Sequence, residues 1–316
     1  MPHSGQSSNG WDHPKMAFAT SSSAISVVNA IGTGLGGAIG IAIPCSVTAA
    51  FNSKNKGDKK KLLVKSSILD KHSLVPRCVS YVEHFLSAKP PTGSKLALEI
   101  ESDIPVAVGL KSSSAIATAV VSAVAKLYAG KEIEADAILR LSCNASKASG
   151  ASITGAYDDA IACLLGGLVL TNNRDFRVFK HTKVPTGLGE LAIVRVPLRS
   201  KVYTSSVKAE SYSSFRKNAK GAFEMGEKGN VMGAMMLNSL IQCSALGYSF
   251  EPIMSAILEG ASSAGVSGKG PAIAALCTTN TVARRIEKRW FEESENGQEI
   301  EVIKTRVVQP KKLLKS

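Results

Sequence analysis

The most informative segment of the chain reads Asp103-Ile-Pro-Val-Ala-Val-Gly-Leu-Lys-Ser-Ser-Ser-Ala115. It follows residues 95–100 (KLALEI), whose alternating apolar and polar residues predict a β-strand. It leads into an alanine-rich helix predicted over residues 113–128 and ended by Gly130. At such a junction a glycine lets the backbone approach a ligand, and the unpaired N–H groups of the first helical turn attract an anion. The segment therefore predicts a phosphate-binding loop.

This loop carries three hydroxyl groups and one ammonium group that a simple turn would not need. Ser112, Ser113 and Ser114 can bind phosphate oxygens or ligate Mg²⁺, while Lys111 adds a positive charge. A serine that only caps the helix is the alternative interpretation. We favour phosphate binding, because Gly-Leu-Lys-Ser-Ser-Ser-Ala preceded by a proline exceeds the needs of a cap.

Two further glycine-rich segments need separate interpretations. Residues 32–37 (GTGLGG) fit the dinucleotide fingerprint G-x-G-x-x-G, but a β-type run follows them instead of a helix, so a Rossmann site is rejected. Residues 265–271 (GVSGKGP) form a glycine loop ahead of a predicted strand. A Walker A loop is excluded there, because Ser263 and Gly270 stand where that motif needs a glycine and a hydroxyl residue.

Strand and helix signals alternate along the rest of the chain. Residues 41–51 predict a strand, and helices are predicted over 133–147 and from about residue 158 to the Gly166-Gly167 pair, which the strand LVLTNN follows. We place a domain boundary in the polar segment 172–186. Beyond it the pattern predicts strands at LAIVRV, AIAALCT and IEVIKTRVV, and helices at 208–228, 230–246, 251–261 and 282–293. This order predicts a two-layer α+β fold.

Composition limits the class of protein. Hydrophobic residues make up 44% of the chain, enough for a packed core, and the net charge of +13 favours anionic partners in general. Aromatic residues make up only 5%, which argues against single-stranded nucleic acid as a partner. The six cysteines form no C-x-x-C pair and predict free thiols in a reducing cytoplasm. Glycines and Pro44 interrupt the apolar run 30–51, so no membrane span is predicted there, and residues 1–15 are predicted to be a flexible leader or cloning remnant.

These motifs resemble those of the GHMP small-molecule kinases, namely P-x-x-x-G-L-[GK]-S-S-[AS], an aspartate before Gly-Gly, and a C-terminal glycine loop, in that order. Within that family the chain is most similar to the archaeal-type shikimate kinase branch, on residues 104–115, on Thr154-Gly-Ala-Tyr-Asp-Asp-Ala160, and on residues 24–41. The resemblance spans about residues 17–309. It implies a ribosomal-protein-S5-like domain at 16–180 and a ferredoxin-like domain at 181–316, with ATP and substrate bound between them.

The resemblance also implies a reaction and a nucleotide site. The reaction is transfer of phosphate from ATP to shikimate, with Mg²⁺, and homoserine and mevalonate are alternative acceptors. Apart from the resemblance, the net charge of +13 and the basic end KTRVVQPKKLLKS leave a non-catalytic nucleic-acid binder as a remote alternative. The implied nucleotide-binding residues are Pro105, Gly109, Leu110, Lys111, Ser112, Ser113, Ser114 and Ala115, with Ser113 as the Mg²⁺ ligand.

The acidic residues of the site depart in part from the family pattern. Counting back from Gly166-Gly167 favours Asp159 as the group that accepts the proton of the acceptor hydroxyl, with Asp158 in reserve. Many members carry a Mg²⁺-binding glutamate on the preceding helix, whereas residues 138–157 contain no acidic side chain, so Asn144 is considered as an oxygen donor.

The acceptor pocket is predicted less directly. Shikimate carries a carboxylate and three hydroxyls, so its pocket needs a cation and several polar groups. The candidates are Ser26, Asn29, Arg77, Gly268, Lys269 and Gly270.

Overall fold

The computed structural model describes residues 16–53, 62–66, 73–203, 209–294, 299–312 and 314. The predicted leader, residues 1–15, lies outside these residues. The described strands are Met16–Val28 (β1), Leu35–Ser53 (β2), Leu62–Ser66 (β3), Ser94–Ser102 (β4), Leu168–Asn172 (β5), Arg177–Thr182 (β6), Leu191–Pro197 (β7), Ser263–Val266 (β8), Ile273–Cys277 (β9) and Ile300–Arg306 (β10). The described α-helices are Leu74–Phe85 (α1), Ser112–Ala129 (α2), Ala135–Ala148 (α3), Tyr157–Leu165 (α4), Arg216–Glu227 (α5), Val231–Leu246 (α6), Glu251–Leu258 (α7) and Asn280–Ser294 (α8).

The first sheet is built around the long strand β2. This strand pairs antiparallel with β1, β4 and β5, while β3 adds to β4 in parallel and β6 closes the other edge. From Ile41 to Val47 buried residues alternate with more exposed ones, so one face of β2 packs into the core. Pro44, which has no N–H to donate, lies where the β1–β2 register shifts.

Helix α2 lies at the centre of the first core. Its alanines let it pack closely on β1 and β2, α4 packs beside it on the same two strands, and α1 and α3 also pack against it. Among the described residues it is the one helix long and apolar enough to cross a membrane, and 72% of that apolar window is buried inside the protein. Core packing therefore accounts for its apolar sequence.

The second sheet is antiparallel throughout, in the order β10-β7-β9-β8. Helices α7 and α8 cover it, and Trp290 is fully buried there with its indole N–H donated to the Pro252 carbonyl at 2.8 Å. Helix α6 packs on both β8 and β1, so it joins the two halves of the chain. After β10 the chain returns to the first sheet, where Gly167 donates its N–H to the Val308 carbonyl at 2.7 Å.

The two sheets with their covering helices confirm the predicted α+β class. The helix predicted over 208–228 is wrong in its first part, because Ala209–Phe215 is a 3₁₀ segment and the α-helix begins at Arg216. The predicted glycine loop begins inside a strand, since Gly265 and Val266 belong to β8. The predicted boundary at residue 180 falls within β6, and the division into two domains stays a prediction.

Candidate active site

A cavity of about 660 Å³ brings together residues from both halves of the chain. The first half contributes the end of β1, the loop before α2, and the start of α4. The second half contributes residues 201–203 and two residues of the glycine loop, Gly268 and Lys269. Both glycine segments that the sequence pairs, 109–115 and 265–271, therefore have members that line one cavity.

The start of α2 is open to this cavity. Lys111 occupies the N-cap position with φ of 61°, and no side chain caps the helix. The three serines that follow lie in the first turn and line the cavity, so none of them is the cap, and the alternative interpretation is wrong. Their N–H groups belong to the helical turn that has no intrahelical acceptor, which suits an anionic ligand.

Gly109 allows the two glycine loops to touch. Its φ is +95°, and a Cβ at this position would overlap the Ser267 carbonyl oxygen and lie 3.0 Å from the Gly270 nitrogen. The Ser267 hydroxyl donates to the Gly109 carbonyl at 2.8 Å. A side chain at position 109 would therefore push the glycine loop away from the start of α2.

Three side chains from outside the 267–270 loop hold its backbone. The Gly268 N–H donates to Ser26 Oγ at 2.9 Å, and Asn29 Nδ2 donates to the Gly268 carbonyl at 2.9 Å. The Tyr248 hydroxyl donates to the Lys269 carbonyl at 2.7 Å. The Gly270–Pro271 bond is cis. These contacts give Lys269 a fixed backbone at the cavity wall.

Lys111 links the helix start to the aspartates of α4. Its Nζ lies 2.9 Å from Asp159 Oδ1 and donates to Ser26 Oγ at 2.7 Å. Burial lowers the pKa of Lys111, but the charges of Asp159 and Asp158 outweigh it, so the net effect is a raised pKa. The lysine is therefore a permanent cation beside Asp159.

Asp158 has a different environment from its neighbour. It is 3% exposed, accepts from Asn173 Nδ2 at 2.8 Å, and donates its backbone N–H to Asn173 Oδ1 at 3.2 Å. Burial and the adjacent Asp159 raise the pKa of Asp158 to about 7, while Lys111 and Asn173 oppose the rise. A Cβ at position 36 of β2 would come within 2.7 Å of Asp158 Cγ, so a glycine at this position leaves room for the Asp158 carboxylate.

The remaining predicted residues divide into those that line the cavity and those that do not. Pro105, Leu110 and Asn29 line it. Ala115 is in the core, where its carbonyl accepts from Ser21 Oγ at 2.8 Å, and Ser26 lies behind the wall as a bridge between Lys111 and Gly268. Gly270 is not among the lining residues but packs against the Tyr248 ring. The exposed Arg77 on α1 is also outside the lining.

The residues of the cavity fit a magnesium ion shared with phosphates. Within the described part of the chain no group of three or more His, Cys, Asp or Glu side chains could enclose a metal. Mg²⁺ in nucleotide sites uses one or two carboxylates and the phosphates themselves, so Asp159 and the Ser113 hydroxyl, which both line the cavity, would be its protein donors. Asn144 is exposed on α3 and does not line the cavity, whereas Ser146 of the same helix does.

Comparison with known proteins identifies this architecture. A crystal structure of homoserine kinase from Cytophaga hutchinsonii matches with a TM-score of 0.69, 19% identity, and coverage of 99% of this chain and 100% of that chain. The family model described as the GHMP kinases N terminal domain matches residues 73–167, which contain α1 to α4 and the predicted phosphate-binding loop. The fold of this chain is therefore that of the small-molecule kinase structure it matches.

Relatives found by sequence comparison show to which group of kinases the chain is most similar. A protein named shikimate kinase from Pyrococcus furiosus is 35% identical over 272 residues, which cover 86% of this chain and 94% of that protein. Another of that name from Methanothrix thermoacetophila is 34% identical over 262 residues, 82% of this chain and 84% of that protein. The chain belongs to the GHMP kinase family, in the group whose archaeal members carry that name, and the predicted family is confirmed.

Three residues of the site are absent from the sequence-based prediction. Asn173 holds Asp158, Ser267 joins the two glycine loops, and Tyr248 supports Lys269. Asn173 is the last residue of the run LVLTNN, which is predicted to be a strand, so a polar residue at a strand end is the one signal that could have indicated it. Tyr248 lies 21 residues from its partner, and no sequence pattern connects them.

Proposed function

We propose that this protein transfers the γ-phosphoryl group of ATP to shikimate, giving shikimate 3-phosphate and ADP. The observation that carries the proposal is the Lys111–Asp159 ion pair at the cavity wall, beside the open start of α2. The archaeal relatives named shikimate kinase support the choice of acceptor.

Asp159 accepts the proton of the acceptor hydroxyl while that oxygen bonds to the γ-phosphorus and the bond to the leaving ADP oxygen breaks. The ion pair with Lys111 fixes the direction of this carboxylate at 2.9 Å. Lys111 also places a positive charge next to the transferred group, which favours the charge distribution of the transition state. Asp159 then releases the proton to solvent.

Nucleotide binding is assigned to the loop and the first turn of α2. The N–H groups of Ser112 and Ser114 would hold phosphate oxygens, and the Ser113 hydroxyl would ligate Mg²⁺ together with a carboxylate of α4. Mg²⁺, when bound, supplies charge neutralisation at the phosphates. Gly109 keeps the loop before α2 in contact with Ser267. This contact fixes the distance between the loop that would bind the nucleotide phosphates and the 267–270 loop on the acceptor side.

An ADP-release assay with three acceptors tests the proposal. Shikimate is expected to give turnover, with the product phosphorylated at the 3-hydroxyl as read by ³¹P NMR. Turnover with homoserine or mevalonate and none with shikimate would refute shikimate as the acceptor, but the protein would still be a small-molecule kinase. Salt-dependent nucleic-acid binding without any ADP release would favour the remote alternative.

Two further assignments accompany this function. We place the protein in the cytoplasm, since the six cysteines are unpaired and buried, a state that a reducing compartment preserves. We also assign residues 16–180 to the nucleotide-binding domain and 181–316 to the C-terminal domain. Limited proteolysis tests this division, because cleavage between Thr182 and Leu191, where the chain passes from one sheet to the other, should release two compact fragments.

A further inference from the structure

Ser26, near the end of β1, is buried directly behind the cavity wall. It is 1% exposed and is not among the residues that line the cavity. Its Oγ accepts one hydrogen bond from Lys111 Nζ at 2.7 Å and another from the Gly268 N–H at 2.9 Å. A serine hydroxyl oxygen can accept two hydrogen bonds, so both of its acceptor positions are filled. Ser26 therefore joins the start of α2 to the glycine loop of the second half of the chain.

The position of Ser26 is itself fixed by its strand. Its backbone N–H donates to the Ser267 hydroxyl at 3.3 Å, and the pairing of β1 with β2 shifts register between Ser26 and Val28. Such irregularities in a strand redirect side chains and are frequent next to active sites. The Ser26 hydroxyl is thus a rigid acceptor, unlike a hydroxyl on the protein surface.

The ammonium group of Lys111 needs such an acceptor. A lysine ammonium has three N–H donors at the end of a flexible stem, and one ion pair does not set its direction. Asp159 Oδ1, at 2.9 Å, and Ser26 Oγ, at 2.7 Å, take two of these donors. Since the nitrogen is tetrahedral, placing two donors sets the direction of the third. Lys111 lines the cavity, so this third donor is available to an oxygen of a bound ligand.

We propose that Ser26 is a positioning residue that holds the Lys111 ammonium beside Asp159, with its third N–H directed at the transferred phosphoryl group. This inference rests on the proposed function. Ser26 touches neither nucleotide nor acceptor in this arrangement, and its influence on turnover passes through the lysine. The effect of removing the hydroxyl should therefore disappear when the lysine is removed as well.

A double-mutant cycle tests this dependence. Ser26→Ala should lower kcat by about 10- to 100-fold, the range for a hydrogen bond to a charged group. Lys111→Met keeps a long unbranched side chain and removes the three donors. In the Lys111→Met background, Ser26→Ala should lower kcat by less than about threefold, because only the hydrogen bond to the Gly268 N–H remains to be lost. The concentration of folded enzyme in each preparation is taken from its unfolding curve.

Ser23→Ala is the matched control. Ser23 lies on the same strand, is 0% exposed, and donates its hydroxyl to the Leu110 carbonyl at 2.8 Å. It supports the residue next to Lys111 without contacting the ammonium group. Ser23→Ala should therefore change kcat by the same factor in the wild-type and Lys111→Met backgrounds. The comparison separates support of the loop backbone from placement of the ammonium group.

Urea unfolding of the same variants measures the contact independently of activity. The Ser26–Lys111 hydrogen bond predicts that the double variant loses less stability than the sum of the two single losses. Coupling in unfolding without coupling in kcat would show a contact that serves only the fold, and the positioning role would be refuted while the enzyme still turns over its acceptor.

The other outcomes are equally decisive. Equal kcat losses from Ser26→Ala in both backgrounds would show that the serine does not act through Lys111. Coupling of Ser23→Ala as large as that of Ser26→Ala would assign the effect to the loop backbone. A coupled rise in the KM for ATP at unchanged kcat would show that the lysine is held for nucleotide binding and not for phosphoryl transfer. Turnover of homoserine or mevalonate in place of shikimate refutes only the acceptor, because the same cycle is then measured with that alcohol. Absence of turnover with all three refutes the proposed function and this role together.

Discussion

Replacing Gly109 by alanine tests whether the two glycine loops form one site. The residue has φ of +95°, where an L-residue is strained. A Cβ would overlap the Ser267 carbonyl oxygen and lie 2.9 Å from its carbonyl carbon. Both obstacles are backbone atoms, so no side-chain rotation relieves the overlap. Either Gly109 leaves its conformation or the 267–270 loop moves.

The expected loss of stability combines three terms. The left-handed backbone costs an alanine about 1–2 kcal/mol, and forcing extra volume into a packed site adds about 1–3 kcal/mol. Separation of the loops also breaks the 2.8 Å hydrogen bond from the Ser267 hydroxyl to the Gly109 carbonyl, which contributes about 1 kcal/mol. We expect Gly109→Ala to lower the free energy of unfolding by about 3–6 kcal/mol.

Gly150→Ala is the matched control. Gly150 also has a positive φ, +75°, but no atom lies within 4 Å of its Cβ position. This variant should lose only the backbone term, about 1–2 kcal/mol. Urea unfolding of both variants gives the difference, and titration calorimetry with a nonhydrolysable ATP analogue gives nucleotide affinity. Equal unfolding free energies for the two variants, or wild-type nucleotide affinity in Gly109→Ala, would refute the contact between the loops.

Three further substitutions probe the site. Asp159→Asn should lower kcat by about 10²- to 10⁴-fold with little change in ATP affinity, because the proton acceptor is lost; wild-type turnover would contradict that role. Ser113→Ala should raise the Mg²⁺ concentration needed for half-maximal nucleotide binding. An unchanged Mg²⁺ titration would show that the Ser113 hydroxyl is not a ligand of the metal. Asp158→Asn should gain stability relative to wild type as the pH rises from 3.8 to about 7 and show a constant gain above that, because the carboxyl pKa rises from 3.8 to about 7 on folding, so its ionisation destabilises the native state. A stability difference that does not vary with pH in urea unfolding would disprove it.

Elements with strong local signals were predictable from the sequence. Helix α2 is observed at Ser112–Ala129 against a prediction of 113–128, because an alanine-rich run ends at Gly130, which adopts the left-handed C-cap conformation. Strand β8 was not predicted, because its small residues, Ser263–Val266, are followed by glycines and together resemble a turn. Those residues are small because α6 packs on the strand: a Cβ on Gly265 would come within 2.6 Å of Ser239 Oγ.

Other elements depend on tertiary contacts that the sequence does not display. Strand β1 contains three consecutive serines, which are poor strand signals, yet the hydroxyls of Ser21 and Ser23 bond to carbonyls of Ala115 and Leu110. Helix α1 begins after Ser73, which adopts a left-handed conformation and whose side chain accepts no capping hydrogen bond, so the helix starts without the bond that a serine usually provides there.

For the site, the sequence identifies residues within a motif and not the contacts between motifs. Lys111 and Asp159 are 48 positions apart, and only the packing of α2 against α4 brings them to 2.9 Å. Counting back from the Gly-Gly pair favours Asp159 over Asp158, but the count does not show which neighbours each carboxylate meets. The contacts that distinguish them come from other elements.

Those contacts give the two carboxylates different chemistry. Adjacent residues of a helix point about 100° apart, so Asp158 and Asp159 meet different neighbours. Lys111 lies against Asp159, and a cation at 2.9 Å holds a carboxylate that can take up a proton in the reaction. Asn173 bonds to both the side chain and the backbone N–H of Asp158, which fixes the first turn of α4 against the end of β5. Burial and the charge of Asp159 raise the pKa of Asp158, while Lys111 and Asn173 oppose the rise. We therefore expect Asp159, which pairs with Lys111, to act on the acceptor hydroxyl, and Asp158 to hold the first turn of α4 through Asn173.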